Sequence, residues 1–164
     1  MMSKKFPPET SNGKPYPRRC AACGKDAVVF RQIPYDARVR HDGKLHNFHI
    51  TALSVDECEL CSEQYFTVNT DEQISLALRT FLGLLLPEEI RAGLTQCSVN
   101  QRTFAEHLGI AAETVCRWLS GAAIQTRSMD NMMRLYFSLA SVREALANPQ
   151  TMCAEGATGY TDQR

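Results

Sequence analysis

Apolar and polar residues follow two different rhythms along this chain, and the change falls near Asp71. Before it lie short extended runs: Ala27 to Phe30 (AVVF), Ala37 to Arg40 and Leu45 to Leu53. Val, Phe, Ile and Tyr are frequent there, which suits pleated, half-buried strands. His41-Asp42-Gly43-Lys44 separates the last two runs, and an Asp-Gly pair is what a two-residue hairpin loop asks for. This half predicts a small sheet with a hairpin. From Asp71 to Leu86 the residues Ile74, Leu76, Leu78, Phe81, Leu82 and Leu85 recur as one face of a helix. Pro87 with Glu88 and Glu89 makes a second helix start, because proline tolerates the first turn and acids suit the positive end of the dipole. Further helices are expected over about 87–95, 101–108, 112–120 and 128–147, with Asn148-Pro149 ending the last.

The fold class this predicts is α+β: a small N-terminal β domain followed by an all-α domain. Residues 1–19 are rich in Pro, Lys, Arg and small polar residues and read as a flexible basic arm. The β domain is expected over 20–68, the helical domain over 69–148 and a flexible tail over 149–164. A chain of 164 residues accommodates two small domains, and 44% hydrophobic content argues against wholesale disorder. The longest apolar run, Phe81 to Leu86, is broken by Gly83 and far too short to span a bilayer. The basic N-terminus is followed by no apolar stretch, so no secretory signal and a cytoplasmic location are expected. Net charge is zero but uneven. Residues 1–44 carry ten Lys/Arg against four Asp/Glu, residues 45–90 carry one against eight, and residues 91–134 carry five against three. Such polarity suits more than one kind of partner, or a solvated surface.

The seven cysteines change the picture most. An odd number argues against a complete disulfide set. Four of them form two pairs, Cys20-Ala-Ala-Cys23 and Cys58-Glu-Leu-Cys61. Each pair sets two sulfurs on one side of a tight turn, and two such turns complete a tetrahedral set of soft thiolates that favours Zn2+, with iron as the rival. Gly24 directly after the first pair eases its turn. The 34 residues between the pairs must hold structure of their own, which the expected strands supply. Four thiolates close the coordination shell, so one structural zinc is expected rather than a catalytic one. A redox CxxC would need a βαβ setting that is missing here. His41, His46 and His49 lie in the loop, where four well-spaced cysteines leave them surface or packing roles. Cys97, Cys116 and Cys153 are isolated and read as small apolar residues or free thiols.

The second strong pattern runs from Gln101 to Ser120, followed by Gly121. Counting Gln101 as the first position, Phe104, Leu108, Ile110, Val115 and Trp118 fall at positions 4, 8, 10, 15 and 18. Ala105 is small where two helices approach, and Gly109 sits at the turn between them. This spacing is that of a helix-turn-helix, whose second helix leaves its outer face free to enter a major groove. That face carries Ala111, Ala112, Glu113, Cys116, Arg117 and Ser120. Arg117 either pairs with guanine O6 and N7 or holds a phosphate. Glu113 either accepts from a cytosine amino group or suits the helix dipole. Gln101 and Thr114 lie near helix starts, where phosphates are commonly bound, and Arg102 and Arg127 are further phosphate candidates. Trp118 belongs to the core.

Taken together, these residues resemble the MqsA-type antitoxins, with their YgiT-type zinc finger and XRE-like helix-turn-helix. The resemblance covers about residues 18–140. It rests on the first CxxC, Ile33-Pro34-Tyr35, Val55 leading into Cys58-Glu-Leu-Cys61-Ser-Glu63, Leu86-Pro-Glu-Glu-Ile-Arg91, the helix-turn-helix, and Ala123-Ile-Gln-Thr-Arg127. It implies an N-terminal domain that holds structural zinc and binds an RNA-cleaving toxin. It also implies a C-terminal domain that dimerises, binds a palindromic operator and represses its own operon, with Arg117 at the DNA-reading arginine. Glu113 stands where the type member carries an asparagine, the segments 1–19 and 148–164 are extra, and the spacing around Gly93 to Asn100 is altered. The function expected is a sequence-specific, homodimeric DNA-binding regulator with double-stranded DNA and a toxin as partners. The alternative is a protein-interaction module whose zinc domain captures a toxin or other partner, with DNA binding secondary. An enzyme is not expected, because there is no open metal site, nucleophile–base constellation or phosphate loop. Dimer contacts are expected around Met132, Met133, Tyr136 and Phe137, residues that serve equally as intramolecular core.

Overall fold

The computed structural model describes residues 10, 11 and 14–148. The tail expected over 149–164, with Cys153, and the beginning of the arm over 1–9 lie outside the described residues. The fold is α+β, with a four-stranded antiparallel sheet followed by helices. The chain divides into two compact units, Met1–Phe81 and Leu82–Arg164. Among the described residues, no helix is long and apolar enough to cross a membrane.

In the first unit, β1 (Thr10–Ser11) pairs with β2 (Lys14–Pro15), and the main sheet has the order β3 (Arg18–Arg19), β4 (Asp26–His41), β5 (Lys44–Cys58), β6 (Gln64–Tyr65). β4 and β5 form one long hairpin closed at Asp42-Gly43, both with positive φ (49° and 75°), as the Asp-Gly pair predicts. Two of the short runs expected from sequence join across Pro34 into the single strand β4. Proline has no N–H to give the ladder, so the pairing slips there: Ile33 faces Leu53, but Tyr35 faces Ile50. The slip shifts the buried parity of β5 from Phe48 on one side to Leu53 and Val55 on the other.

The flexible arm expected over 1–19 is corrected at its end. Arg18 and Arg19 form β3, paired with Val28 and Asp26 of β4. The cause is Asp56, a carboxylate only 3% exposed in β5. The Tyr16 hydroxyl and the Arg18 guanidinium both donate to it, which ties the segment to the sheet. A second difference concerns α1 (Val68–Leu82), expected to belong with the helices. It lies almost wholly in the sheet unit: the Thr70 hydroxyl donates to the Ser54 carbonyl at 2.9 Å, the Ser54 amide donates to Gln73 at 3.1 Å, and Phe81 stacks on Phe48 at 5.4 Å.

The second unit contains α2 (Pro87–Gln96), α3 (Gln101–Leu108), α4 (Ala112–Ser120), α5 (Arg127–Ser138) and α6 (Ala140–Ala147). The Glu89 carboxylate accepts from the Leu86 amide at 2.7 Å and caps α2. Ile90, Leu94, Phe104, Val115, Trp118, Met133 and Tyr136 share one core, in which the ring of Phe104 meets that of Tyr136 at 5.0 Å and that of Phe137 at 5.4 Å. Gly93 is needed for this packing, because a Cβ there would lie 2.6 Å from the Phe137 ring. The single helix expected over 128–147 is corrected to two. Leu139 is extended (φ −119°, ψ 118°), and the Arg143 guanidinium takes the carbonyl of Tyr136 at 2.7 Å. Of the residues expected either at a dimer contact or in the intramolecular core, Met133 and Tyr136 are fully buried in their own core.

Candidate metal centre and exposed helix

Cys20, Cys23, Cys58 and Cys61 come together at one end of the sheet, with all four sulfurs within 4.8 Å of one another. Two turns of the same construction present them. In the first, the Gly24 amide donates to the Cys20 carbonyl at 2.9 Å and the Cys20 amide to the Lys25 carbonyl at 2.8 Å. In the second, the Ser62 amide donates to the Cys58 carbonyl at 2.9 Å and the Cys58 amide to the Glu63 carbonyl at 2.9 Å. Gly24 and Ser62 hold equivalent left-handed positions, at φ 72° and 58°. The first Cys of each pair is buried and Cys61 is exposed.

The Cys20–Cys61 and Cys23–Cys58 sulfur separations are 3.5 and 3.7 Å. A tetrahedron with metal–sulfur bonds near 2.3 Å has edges of about 3.8 Å, so the cluster fits one ion. Electrostatics point the same way. The Tyr65 hydroxyl, then the Cys23 amide, lower the Cys20 thiol to about 6. The Glu63 backbone favours the Cys61 thiolate, but Cys20, burial and the other two sulfurs together push it up to about 12. Four sulfurs this close do not all ionise without a cation among them. Tyr65 was not among the residues singled out by spacing. Its hydroxyl lies 3.2 Å from the Cys20 sulfur and accepts from the Ala21 amide at 2.9 Å. The expected non-ligands stay apart: Cys97 packs its thiol toward the Phe137 carbonyl at 3.8 Å, Cys116 is exposed, and His49 pairs with Asp36 at 2.7 Å.

The second set of sequence-derived residues gathers mainly on α4. Gly109 between α3 and α4 is left-handed (φ 66°, ψ 32°). Val115, Trp118 and Leu119 are buried, while Ala111, Ala112, Glu113, Cys116, Arg117 and Ser120 are exposed and Thr114 is half-buried. At about 100° per residue, the exposed residues from Ala112 to Ser120 fill one arc of roughly 140°, and the buried three an arc of roughly 100° opposite. Gln101 is the first residue of α3, capped by Asn100, whose side chain accepts from the Thr103 amide at 2.9 Å. Arg102 is exposed and pairs with Glu106 at 3.1 Å. Arg127 stands apart from this face: its guanidinium is turned onto the Leu82 carbonyl and, at 3.5 Å, the Gly83 carbonyl.

A buried polar knot holds the loop between α4 and α5. Asp130, fully buried, accepts from the Leu85 amide at 2.7 Å, Gln125 at 3.0 Å and Arg134 at 2.8 Å. Burial pushes its carboxyl up, but those hydrogen bonds outweigh it and hold it below the usual carboxylate range. Burial raises the Tyr136 phenol, whose oxygen lies 2.7 Å from His107 Nδ1. Fold and site thus define an α+β chain with a four-cysteine cluster fit to hold a metal. No protein-family model matches the chain, and no curated protein matches it.

Proposed function

We propose that this chain is a zinc-stapled regulator that binds duplex DNA sequence-specifically through α4 and represses its own transcription, in the manner of an MqsA-like antitoxin. The observation that carries the reading is the exposed arc of α4 behind the left-handed turn at Gly109, with its opposite side packed into the core. That is what a helix-turn-helix requires of its reading helix. Arg117 is the base-reading or phosphate-holding residue, with Gln101, Arg102, Ala112, Glu113, Thr114, Cys116 and Ser120 as neighbouring contacts. Arg127 is the weakest of the set, because its guanidinium already serves two carbonyls. Four soft thiolates at tetrahedral separations favour Zn2+ in a closed, structural role in a zinc-ribbon-like domain. A palindromic operator implies a two-fold dimer, and Met132, Leu135 and Leu139 are the exposed apolar residues available for it.

The test is a fluorescence titration of the zinc-loaded protein against its own upstream DNA at two salt concentrations, with random DNA as control. Preference for the upstream site, weakening with salt, is expected. Arg117→Ala is expected to cost about 1–3 kcal/mol of that binding. Equal, weak binding to both DNAs defeats the reading. A protein-interaction role has its own support in the exposed apolar residues of the sheet unit, Phe66, Val68, Leu76 and Phe81. Co-purification of a stoichiometric partner that survives Arg117→Ala is the result that favours it.

A further inference from the structure

We propose that Tyr65 is the outer donor of the metal site, holding Cys20 as its anchoring thiolate. The inference rests on the reading of the cluster as a metal centre and deepens it. A phenol has a single proton to give. The Ala21 amide donates to the Tyr65 oxygen at 2.9 Å and occupies its accepting side. The phenolic proton is free for the sulfur 3.2 Å away, and in the proposed arrangement the hydroxyl donates and Cys20 accepts. The Cys23 amide donates to the same sulfur at 3.4 Å. A buried sulfur that receives two donors is built to be a thiolate, which is the form that binds metal.

The two turns show that this is an addition to the common frame. Tyr65 lies seven residues after Cys58, and the corresponding residue after Cys20 is Ala27. In the second turn, the Glu59 amide donates to the Ala27 carbonyl at 2.9 Å. In the first, the Ala21 amide goes instead to the Tyr65 hydroxyl. The frame therefore makes the same contact twice, once through backbone and once through a side chain that reaches on to a ligand. Ala27 has no polar side chain to offer Cys58. Such outer donors fix ligand orientation and tune the metal, and removing one costs roughly 10–100-fold in metal affinity. Tyr65 also spans the cluster, since it follows the second pair in sequence and grips the first.

The experiment uses the full chain. Zn2+ affinity is measured by competition with a chromophoric chelator, and Co2+ is substituted to read the thiolate-to-cobalt charge-transfer band. Tyr65→Phe is compared with wild type and with Tyr35→Phe, which removes a hydroxyl elsewhere in the sheet. Tyr65→Phe is expected to weaken Zn2+ binding by roughly 10–100-fold and to move the band to lower energy, because the sulfur lone pair loses its donor. Tyr35→Phe is expected to do neither. A fluorinated tyrosine at position 65, a stronger donor of nearly the same shape, is expected to move the band the other way, which guards against a folding defect in the phenylalanine variant. Loss of affinity with an unmoved band, or no change in either, overturns the proposal. A wild-type chain that takes up neither metal overturns the metal reading itself, an outcome distinct from failure at Tyr65 alone.

Discussion

In the helical unit ten buried residues from Leu85 to Tyr136 form one apolar cluster, with Met129, Phe137 and others packed against it. At the cysteine end of the sheet unit the corresponding cluster has three members, Cys20, Val28 and Cys58, with Ala27 and Tyr65 alongside. Two of those three are ligands of the candidate metal. Apolar burial stabilises by roughly 25 cal/mol per Å2, so the helices hold together by ordinary packing while this end of the sheet has little to bury. A small domain with a thin core needs a cross-link, and an ion shared by two cysteine pairs with 34 residues between them would be one. The difference teaches that the same chain gathers four potential metal ligands where packing is scarce and relies on packing where it is plentiful.

Removing the metal tests that contrast most severely. On chelation, the amides of β3, β6 and the adjoining ends of β4 and β5 are expected to exchange as in an unfolded chain, whereas α2–α5 keep their protection. Hydrogen exchange resolved by residue checks this, and collapse of protection in both units would break the comparison. The complementary change is Phe104→Ala, at a residue with no solvent exposure in the centre of the helical core. It is expected to cost about 3–5 kcal/mol, read by thermal unfolding of the helices, and to leave metal stoichiometry unchanged.

The parts of this contrast that sequence shows are those set by neighbours along the chain. CxxC spacing, the Asp42-Gly43 hairpin, the Pro87 helix start and Gly109 all depend on a few adjacent residues. Features made by residues far apart are invisible to it. The Tyr65 hydroxyl reaches a sulfur 45 positions away. Asp56 meets Arg18 across 38 positions, which is why the end of a basic segment that reads as a loose arm, Arg18–Arg19, is a strand instead. Pro34 reads as a strand breaker, yet there β4 has a neighbour on one side only and β5 slips to accommodate it. Gly93 falls inside an expected helix, and only the Phe137 ring placed against it shows why a Cβ is excluded there. The site was legible to the extent that its ligands come in local pairs, and its outer donor was not.

Asp130 sharpens the helical side of the comparison, because the packed unit also depends on one buried charge. Asp130→Ala removes the acceptor shared by Leu85, Gln125 and Arg134 and is expected to cost about 2–3 kcal/mol, less than Phe104→Ala because Arg134 stays half-exposed. The fold holds this carboxyl below its ordinary value, so the unfolded chain takes up the proton first. Its contribution is therefore complete above the ordinary carboxylate pKa of about 3.9 and is lost as pH falls through the lower folded value. The stability gap between wild type and Asp130→Ala is expected to be constant near neutrality and to close below about pH 4. A gap that persists in acid would mean that packing, not charge, is what Asp130 supplies.

The smallest effect lies within the sheet unit, between its two cysteine-bearing turns. Gly24 and Ser62 occupy equivalent left-handed positions, but only glycine adopts that backbone without strain. A Cβ at Gly24 would meet nothing nearer than Arg19 at 3.9 Å, so a side chain there is opposed by conformation alone and not by crowding. Gly24→Ser is then expected to destabilise by about 1 kcal/mol. Ser62→Gly relieves a similar strain but gains chain entropy in the unfolded state, leaving a net stabilisation of about 0.5 kcal/mol. Urea unfolding of the metal-loaded chain, followed through the cobalt–thiolate band, gives both values. Opposite signs would show that the two turns are interchangeable frames differing only by the serine hydroxymethyl group. The same sign at both would show that Ser62 contributes something its backbone position does not require.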